Sequence, residues 1–487
     1  LIECLCLKLN SNLLLSDSYM AETTPNFAQH QTICLGGVTR EDKDASNELS
    51  YLVLEAVKSV RTVQPDIALL CHPRETPYDL KLKAAEMVAL GMGVPKFMST
   101  ETIKTELMAM GYSLEEARVG WIRGCSELYG PGGKQYGYTV ATKINPGIAL
   151  ETALYNGRKR MPGQQMSGEL LGVETGDPRE FKTFDELMFA VKRQIAQQVR
   201  DGHIAASYAD KVKMQHLPLL LQSLFTEACI ERGKWANAGG AIINVGPGLP
   251  MTGGIATIAD SLAAVKKLVY DERKISMDEL IQAIDADFMG YEPLRQMLIN
   301  DAPKYGNDDD YVDNIAREFW QAYCAEARDH RTPLGNRNEP SCCIVTAYTA
   351  AGAFTWATPD GRKAGEPLSN HISPADQMDV RGPVAHIKSV TKLGLDSGFG
   401  TIHNMFFTNI DSRERLHRLL DLIDMYHSLG GHHLQINCQD KDVLIDAQKH
   451  PEKYPTLMIR VAGYMTHFVE LPRHIQDEII NRTSLSI

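Results

Sequence analysis

Apolar and polar positions along this chain switch between two periods, and the switches mark its elements. Short apolar runs rich in β-branched residues predict strands at 67–72 (IALLCH), 241–246 (AIINVG), 342–350 (CCIVTAYTA), 401–410 (TIHNMFFTNI) and 433–438 (HLQINC). Between them the spacing is helical. After Thr183, the residues Phe184, Leu187, Met188, Val191, Ile195 and Val199 recur every three or four positions and predict a stripe that faces a core. Three helix starts carry the S/T-x-x-E box, in which side chain and backbone satisfy each other's free N–H groups: Ser113 with Glu116, Thr183 with Glu186 and Ser276 with Glu279. Strands alternating with helices predict an α/β fold.

Glycine and proline gather at 130–133 (GPGG), 246–254 (GPGLPMTGG), 336–341 (NRNEPS), 357–367 (ATPDGRKAGEP) and 373–383 (SPADQMDVRGP). In an α/β protein such segments are the loops after strands, where site residues concentrate. A domain boundary is expected near 370, dividing the chain into 1–370 and 371–487. No repeat of 20–50 residues is present.

Composition narrows the partners. The 487 residues carry a net charge of −11 with opposite signs interspersed, which argues against nucleic acid or an anionic membrane and for a small-molecule substrate. The ten cysteines form no regular framework and no CxxC pair, so neither a disulfide scaffold nor a zinc ribbon is predicted, and a reducing cytoplasm fits. No apolar run reaches the roughly 20 residues that span a bilayer. The chain opens at Leu1 in a helical pattern without an initiator Met, which suggests the C-terminal part of something longer.

The strongest local candidate for chemistry is RGCSELYGPGGKQYG, 123–137, which sets the thiol of Cys125 two positions from the carboxylate of Glu127 ahead of a glycine-rich segment. In an extended loop the two side chains would share a side. A buried structural cysteine beside a surface glutamate is the alternative. No histidine lies in the motif, so Cys–His hydrolysis lacks local support. The loop GPGLPMTGG lacks the order of a phosphate-binding loop, and packing glycines are expected there. Cys342 and Cys343 read as core residues on opposite faces of a strand, His432 and His433 as solvent-facing or hydrogen-bonded, and NDDDY (307–311) as a solvated helix start. No metal-ligand set is recognisable.

Near the C-terminus, RVAGYMTHF (460–468) contains no catalytic side chain, and its glycine ordinarily signals positive φ or close backbone approach. A glycine has one rarer use. Loss of its α-hydrogen leaves a planar radical delocalised over the flanking amides, and no Cβ obstructs that planarity. A thiol can relay such a radical, because its S–H bond is comparable in strength to the C–H bonds it must break.

GCSE at 124–127 together with RVAGY at 460–464 resembles the glycyl radical enzyme family. Supporting stretches at 36–56, 246–269, 358–374 and 433–464 extend the resemblance over essentially the whole chain. It implies a ten-stranded α/β barrel of two half-barrels, N-terminally incomplete here, with the cysteine and glycine loops meeting inside. It also implies that Gly463 stores the radical, that Cys125 becomes the thiyl and that Glu127 is the acid/base carboxylate of the eliminating branch. No bound cofactor is implied. The radical would be installed by an activating partner that uses S-adenosylmethionine and an iron–sulfur cluster, and a homodimer is the family expectation, in some members inside a bacterial microcompartment.

Within that branch, GCSEL followed by YGPGGKQYGY most resembles the isethionate sulfite-lyases, which cleave a carbon–sulfur bond. Cys125 is followed by Ser126 and not by a second cysteine, which disfavours acyl transfer. A sulfonate would call for guanidinium donors, and Arg337 and, more weakly, Arg123 are the candidates. Elimination from a diol, from dihydroxypropanesulfonate or from choline would use the same three catalytic residues. A non-enzymatic fragment or subunit is the remaining alternative.

Overall fold

The computed structural model describes residues 1–11, 30–137, 140, 142–160, 168–408 and 410–487. Two expected features touch positions outside that set, Tyr138 at the end of YGPGGKQYGY and Asn409 within the 401–410 run.

The central sheet has five strands in the order Thr32–Gly36, Asp66–Cys71, Lys96–Ser99, His433–Cys438 and His403–Phe407. The first three run parallel, as do the last two, and the groups meet antiparallel where His433 faces Met98 and Leu434 faces Phe97. The second group continues through shorter parallel ladders. Thr401 bridges Cys342, the strand Glu339–Ser341 pairs with Gly248–Pro250, and Gly248 and Met251 bridge Val140 and Ile144. Five parallel segments therefore face three running the other way. That is the two-half-barrel plan the resemblance implies, with eight strand positions among the described residues of a ten-stranded barrel expected to be N-terminally incomplete here.

Helices cover the outside, and their starts follow the sequence. Ser113, Thr183 and Ser276 each accept from the backbone N–H three residues on, and Glu116, Glu186 and Glu279 close the reciprocal bond. The stripe after Thr183 is buried at Leu187, Met188, Val191, Ile195 and Val199, while Phe184 is only half-buried against the core. Asp309 caps the helix Asp310–Asp329, so NDDDY is a helix start as expected. Among the described residues no helix is long and apolar enough to cross a membrane.

Two strand expectations fail. CCIVTAYTA forms one bridge at Cys342 and then a helix, Ala347–Ala353, and AIINVG keeps only Ile243–Asn244 as strand. β-propensity describes a side chain that fits a half-buried pleat. The first stretch leaves the ladder after one residue and the second after two, and burial against neighbouring elements decides the rest.

Candidate active site

Two hairpins meet inside the barrel. Trp121–Arg123 pairs antiparallel with Glu127–Tyr129, and Gly124, Cys125 and Ser126 form the turn between them. This is tighter than the extended loop expected from the sequence. Gly124 permits it, with φ +60°, and a Cβ there would lie 2.5 Å from Oε2 of Glu127. The Glu127 carboxylate thus folds back over the turn, where Oε2 also accepts from the Ser126 N–H at 3.3 Å.

The second hairpin pairs Met458–Arg460 with Met465–His467, and its turn, Val461 to Tyr464, is closed by the Val461 N–H donating to the Tyr464 carbonyl at 2.9 Å. Gly463 sits in this turn at φ +78°. Its N–H donates to Oε1 of Gln435 (3.0 Å), and its carbonyl accepts from Nη2 of Arg460 (3.2 Å). Arg482 braces the same turn from behind, donating to the Val461 carbonyl at 2.8 Å.

The tips touch. A Cβ built on Gly463 would lie 2.7 Å from Sγ of Cys125, 3.0 Å from its Cβ and 3.0 Å from Cδ1 of Ile402. Nothing larger than glycine fits against that thiol without displacing it. Cys125 itself is buried and packs with Cys343 and Ile402. Burial first, and the Glu127 carboxylate second, push its thiol well above the ordinary cysteine range, with Lys96 acting in the opposite sense. A nucleophilic cysteine needs the thiolate, whereas a hydrogen-atom relay needs the S–H bond kept whole, and this environment keeps it whole.

Beneath both turns lies a buried charge cluster that the sequence did not single out. Asp66, Lys96 and Arg460 are each fully buried. Nζ of Lys96 donates to Oδ2 of Asp66 (2.6 Å) and to the carbonyls of Gly124 (2.7 Å) and Cys125 (2.9 Å). Nη1 of Arg460 donates to Oδ1 of Asp66 (2.8 Å), and its Nε shares Oε1 of Gln435 at 2.7 Å. Nε2 of His30 lies 3.2 Å from Asp66 and its Nδ1 lies 3.8 Å from Sγ of Cys125. Burial works to raise the Asp66 carboxyl, but Arg460 and Lys96 override it and hold it well below the usual range. The available signal was a charge at the first position of a short strand with apolar residues behind it: Asp66 opens DIALLC and Lys96 opens KFMS.

Arg337 is engaged by Glu339 at 3.2 Å, in an ion cluster with Arg328 and Glu106. The Arg123 guanidinium lies over the ring of Tyr129, 4.7 Å from its centroid. Cys342 and Cys343 are both buried, as expected of core residues, and Cys343 shares a small cluster with Cys125 and Ile402. His432 and His433 do not face solvent: both are buried, and Nδ1 of His433 donates to the carbonyl of Thr401 at 3.1 Å. They follow Gly430 and Gly431 into the strand His433–Cys438, every residue of which is buried.

Comparison with known proteins identifies the family. The pyruvate formate lyase-like family matches residues 1–352 and the glycine radical family matches residues 368–469. The chain belongs to the glycyl radical enzymes. It is 36% identical over 494 residues to trans-4-hydroxy-L-proline dehydratase of Clostridioides difficile, covering 99% of this chain and 60% of the relative. It is 34% identical to isethionate sulfite-lyase of Desulfovibrio desulfuricans, covering 96% and 57%. Among solved structures, glycerol-bound B12-independent glycerol dehydratase of Clostridium butyricum superposes with a TM-score of 0.94 at 36% identity, over 100% of this chain and 61% of the other. The chain thus spans about 60% of the length of these relatives, and it shares their barrel fold.

Proposed function

We propose that this chain carries the radical relay of a glycyl radical eliminase, with Gly463 as the radical store, Cys125 as the thiyl and Glu127 as the general base. The observation that carries this reading is the contact of the Gly463 turn with the Cys125 sulfur, between hairpins more than 300 residues apart in sequence.

An activating partner using S-adenosylmethionine and an iron–sulfur cluster removes the α-hydrogen of Gly463. The glycyl radical then takes the hydrogen of the Cys125 S–H bond, leaving the thiyl. The thiyl abstracts hydrogen from the hydroxyl-bearing carbon of the substrate, and Glu127 accepts the hydroxyl proton. The resulting ketyl radical breaks the bond to the group on the neighbouring carbon, which departs with the electron pair. The product radical regains hydrogen from Cys125, and the thiyl is restored. Burial of both turns shields these radicals from oxygen and reductants.

The substrate we propose is isethionate, cleaved to acetaldehyde and sulfite. Support comes from the GCSELYGPGGKQYG stretch and from isethionate sulfite-lyases among the relatives at 31–34% identity. One observation favours a second reading, dehydration of a diol or hydroxylated ring: Arg337 and Arg123, the expected sulfonate donors, are engaged by Glu339 and Tyr129. Incubating the anaerobically activated full-length protein with isethionate, 1,2-propanediol, glycerol and trans-4-hydroxyproline decides between them. Sulfite with acetaldehyde supports carbon–sulfur cleavage, and an aldehyde or imine without sulfite supports dehydration.

A further inference from the structure

The cluster of Asp66, Lys96 and Arg460 demands its own account. Two buried cations and a histidine converge on one buried carboxylate. Burying ions carries a desolvation cost that well-packed apolar residues would avoid, so stability alone is a weak reason for such a set. Its connections supply a better one. Lys96 reaches upward to the cysteine turn, through the carbonyls of Gly124 and Cys125. Arg460 reaches the glycine turn, through the carbonyl of Gly463, and is itself the last residue of the strand leading into it. His30 joins Asp66 to the sulfur. Among the described residues, the charged arms from the two tips meet at one carboxylate on the strand Asp66–Cys71, beside the apolar contact that Ile402 makes with both.

We propose that Asp66 is a positioning residue that sets the approach of the Cys125 sulfur to the α-carbon of Gly463, with Lys96 and Arg460 as its two arms. Hydrogen-atom transfer between sulfur and carbon requires the atoms in van der Waals contact and falls steeply as they separate. Two hairpins packed only by apolar contact could slide by fractions of an ångström, whereas charge-assisted hydrogen bonds to a common carboxylate fix both distance and direction. The low pKa of Asp66 agrees, since the carboxylate stays ionised and keeps both arms. The two arms predict separable effects: loss of Lys96 releases the cysteine side alone, and loss of Asp66 releases both.

This inference rests on the radical relay proposed above, and the test separates the two. In full-length protein activated anaerobically, the glycyl signal in electron paramagnetic resonance is a doublet split by the remaining α-hydrogen. In deuterium oxide that splitting collapses only if Cys125, whose S–H exchanges with solvent, passes deuterium to Gly463. The collapse rate per spin measures the relay, and molecules that are misfolded carry no spin and drop out. Lys96→Met, with Lys96→Gln as its substitute should the first not fold, is expected to keep the radical yield. Collapse and turnover per spin should fall together by about tenfold or more, the scale set by small misplacements in active sites. Asp66→Asn should lower the radical yield as well. Collapse and turnover per spin equal to wild type in the Lys96 variant overturn the positioning role, as does lower turnover with unchanged collapse. A wild-type protein with no doublet, or with one that deuterium oxide leaves intact, overturns the relay itself.

Discussion

Gly463 and Cys125 stand in a contact that only glycine permits: a methyl group on the glycine would intrude to 2.7 Å from the sulfur. The turn holds that glycine at φ +78°, a conformation in which other residues are strained. Backbone hydrogen bonds to Gln435 and Arg460 fix it on both sides. The contact brings two motifs, each ambiguous alone, to one point in the fold.

Gly463→Ala should give no glycyl radical and no turnover. The added methyl both hinders planarity and displaces the thiol, and the left-handed backbone should cost stability on the order of 1–3 kcal/mol. Loss of the resonance doublet together with a lowered melting temperature checks both halves.

Cys125→Ser separates storage from use. The hydroxyl is slightly smaller than the thiol, so the fold should persist, but its O–H bond is too strong to surrender hydrogen to a glycyl radical. The doublet should form after activation, persist in deuterium oxide and yield no product. Wild-type turnover in this variant would remove the thiol relay.

Glu127→Gln keeps the shape of the side chain over the Gly124 turn and removes the base. Radical yield and deuterium-driven collapse should match wild type, while turnover falls by roughly 10²–10⁴, the usual contribution of a positioned acid or base. The ratio of turnover to collapse rate is the decisive readout, since damage to the hairpin would lower both.

Much of this was legible beforehand, and the failures have physical causes. IALLC is a continuous apolar run and HLQINC places Leu434, Ile436 and Cys438 at every second position, and both strands are buried at every residue. The three capping boxes are local and need no tertiary information. Cys125, Glu127 and Gly463 were reached through family motifs and then found together. CCIVTAYTA misled because one bridge at Cys342 is all the ladder takes before the helix at Ala347. Asp66, Lys96 and Arg460 were invisible because their meaning lies in partners up to 394 positions away, and a charge at a strand end looks solvated in one dimension.

Acid should weaken the fold through its buried histidines. Burial pulls His371 and His427 down to about 3 and His432 to about 4. Their unfolded counterparts protonate near pH 6.5, so between about 6.5 and 4 the unfolded state binds more protons. Stability is therefore complete above about pH 7 and declines as pH falls, with a slope of about 1.4 kcal/mol per pH unit for one such histidine. Urea unfolding at pH 7.5, 6 and 5 (values of about these magnitudes bracket the titration) checks it, and His432→Gln should flatten the slope.

The most direct test of the central claim counts spins and product in the same sample. Full-length protein, activated to graded extents without oxygen, is assayed for the Gly463 doublet and for the eliminated product. The account predicts product in proportion to spins, and none before activation. Product from unactivated protein, or a full complement of spins with no product from any of the alcohols named above, would contradict it.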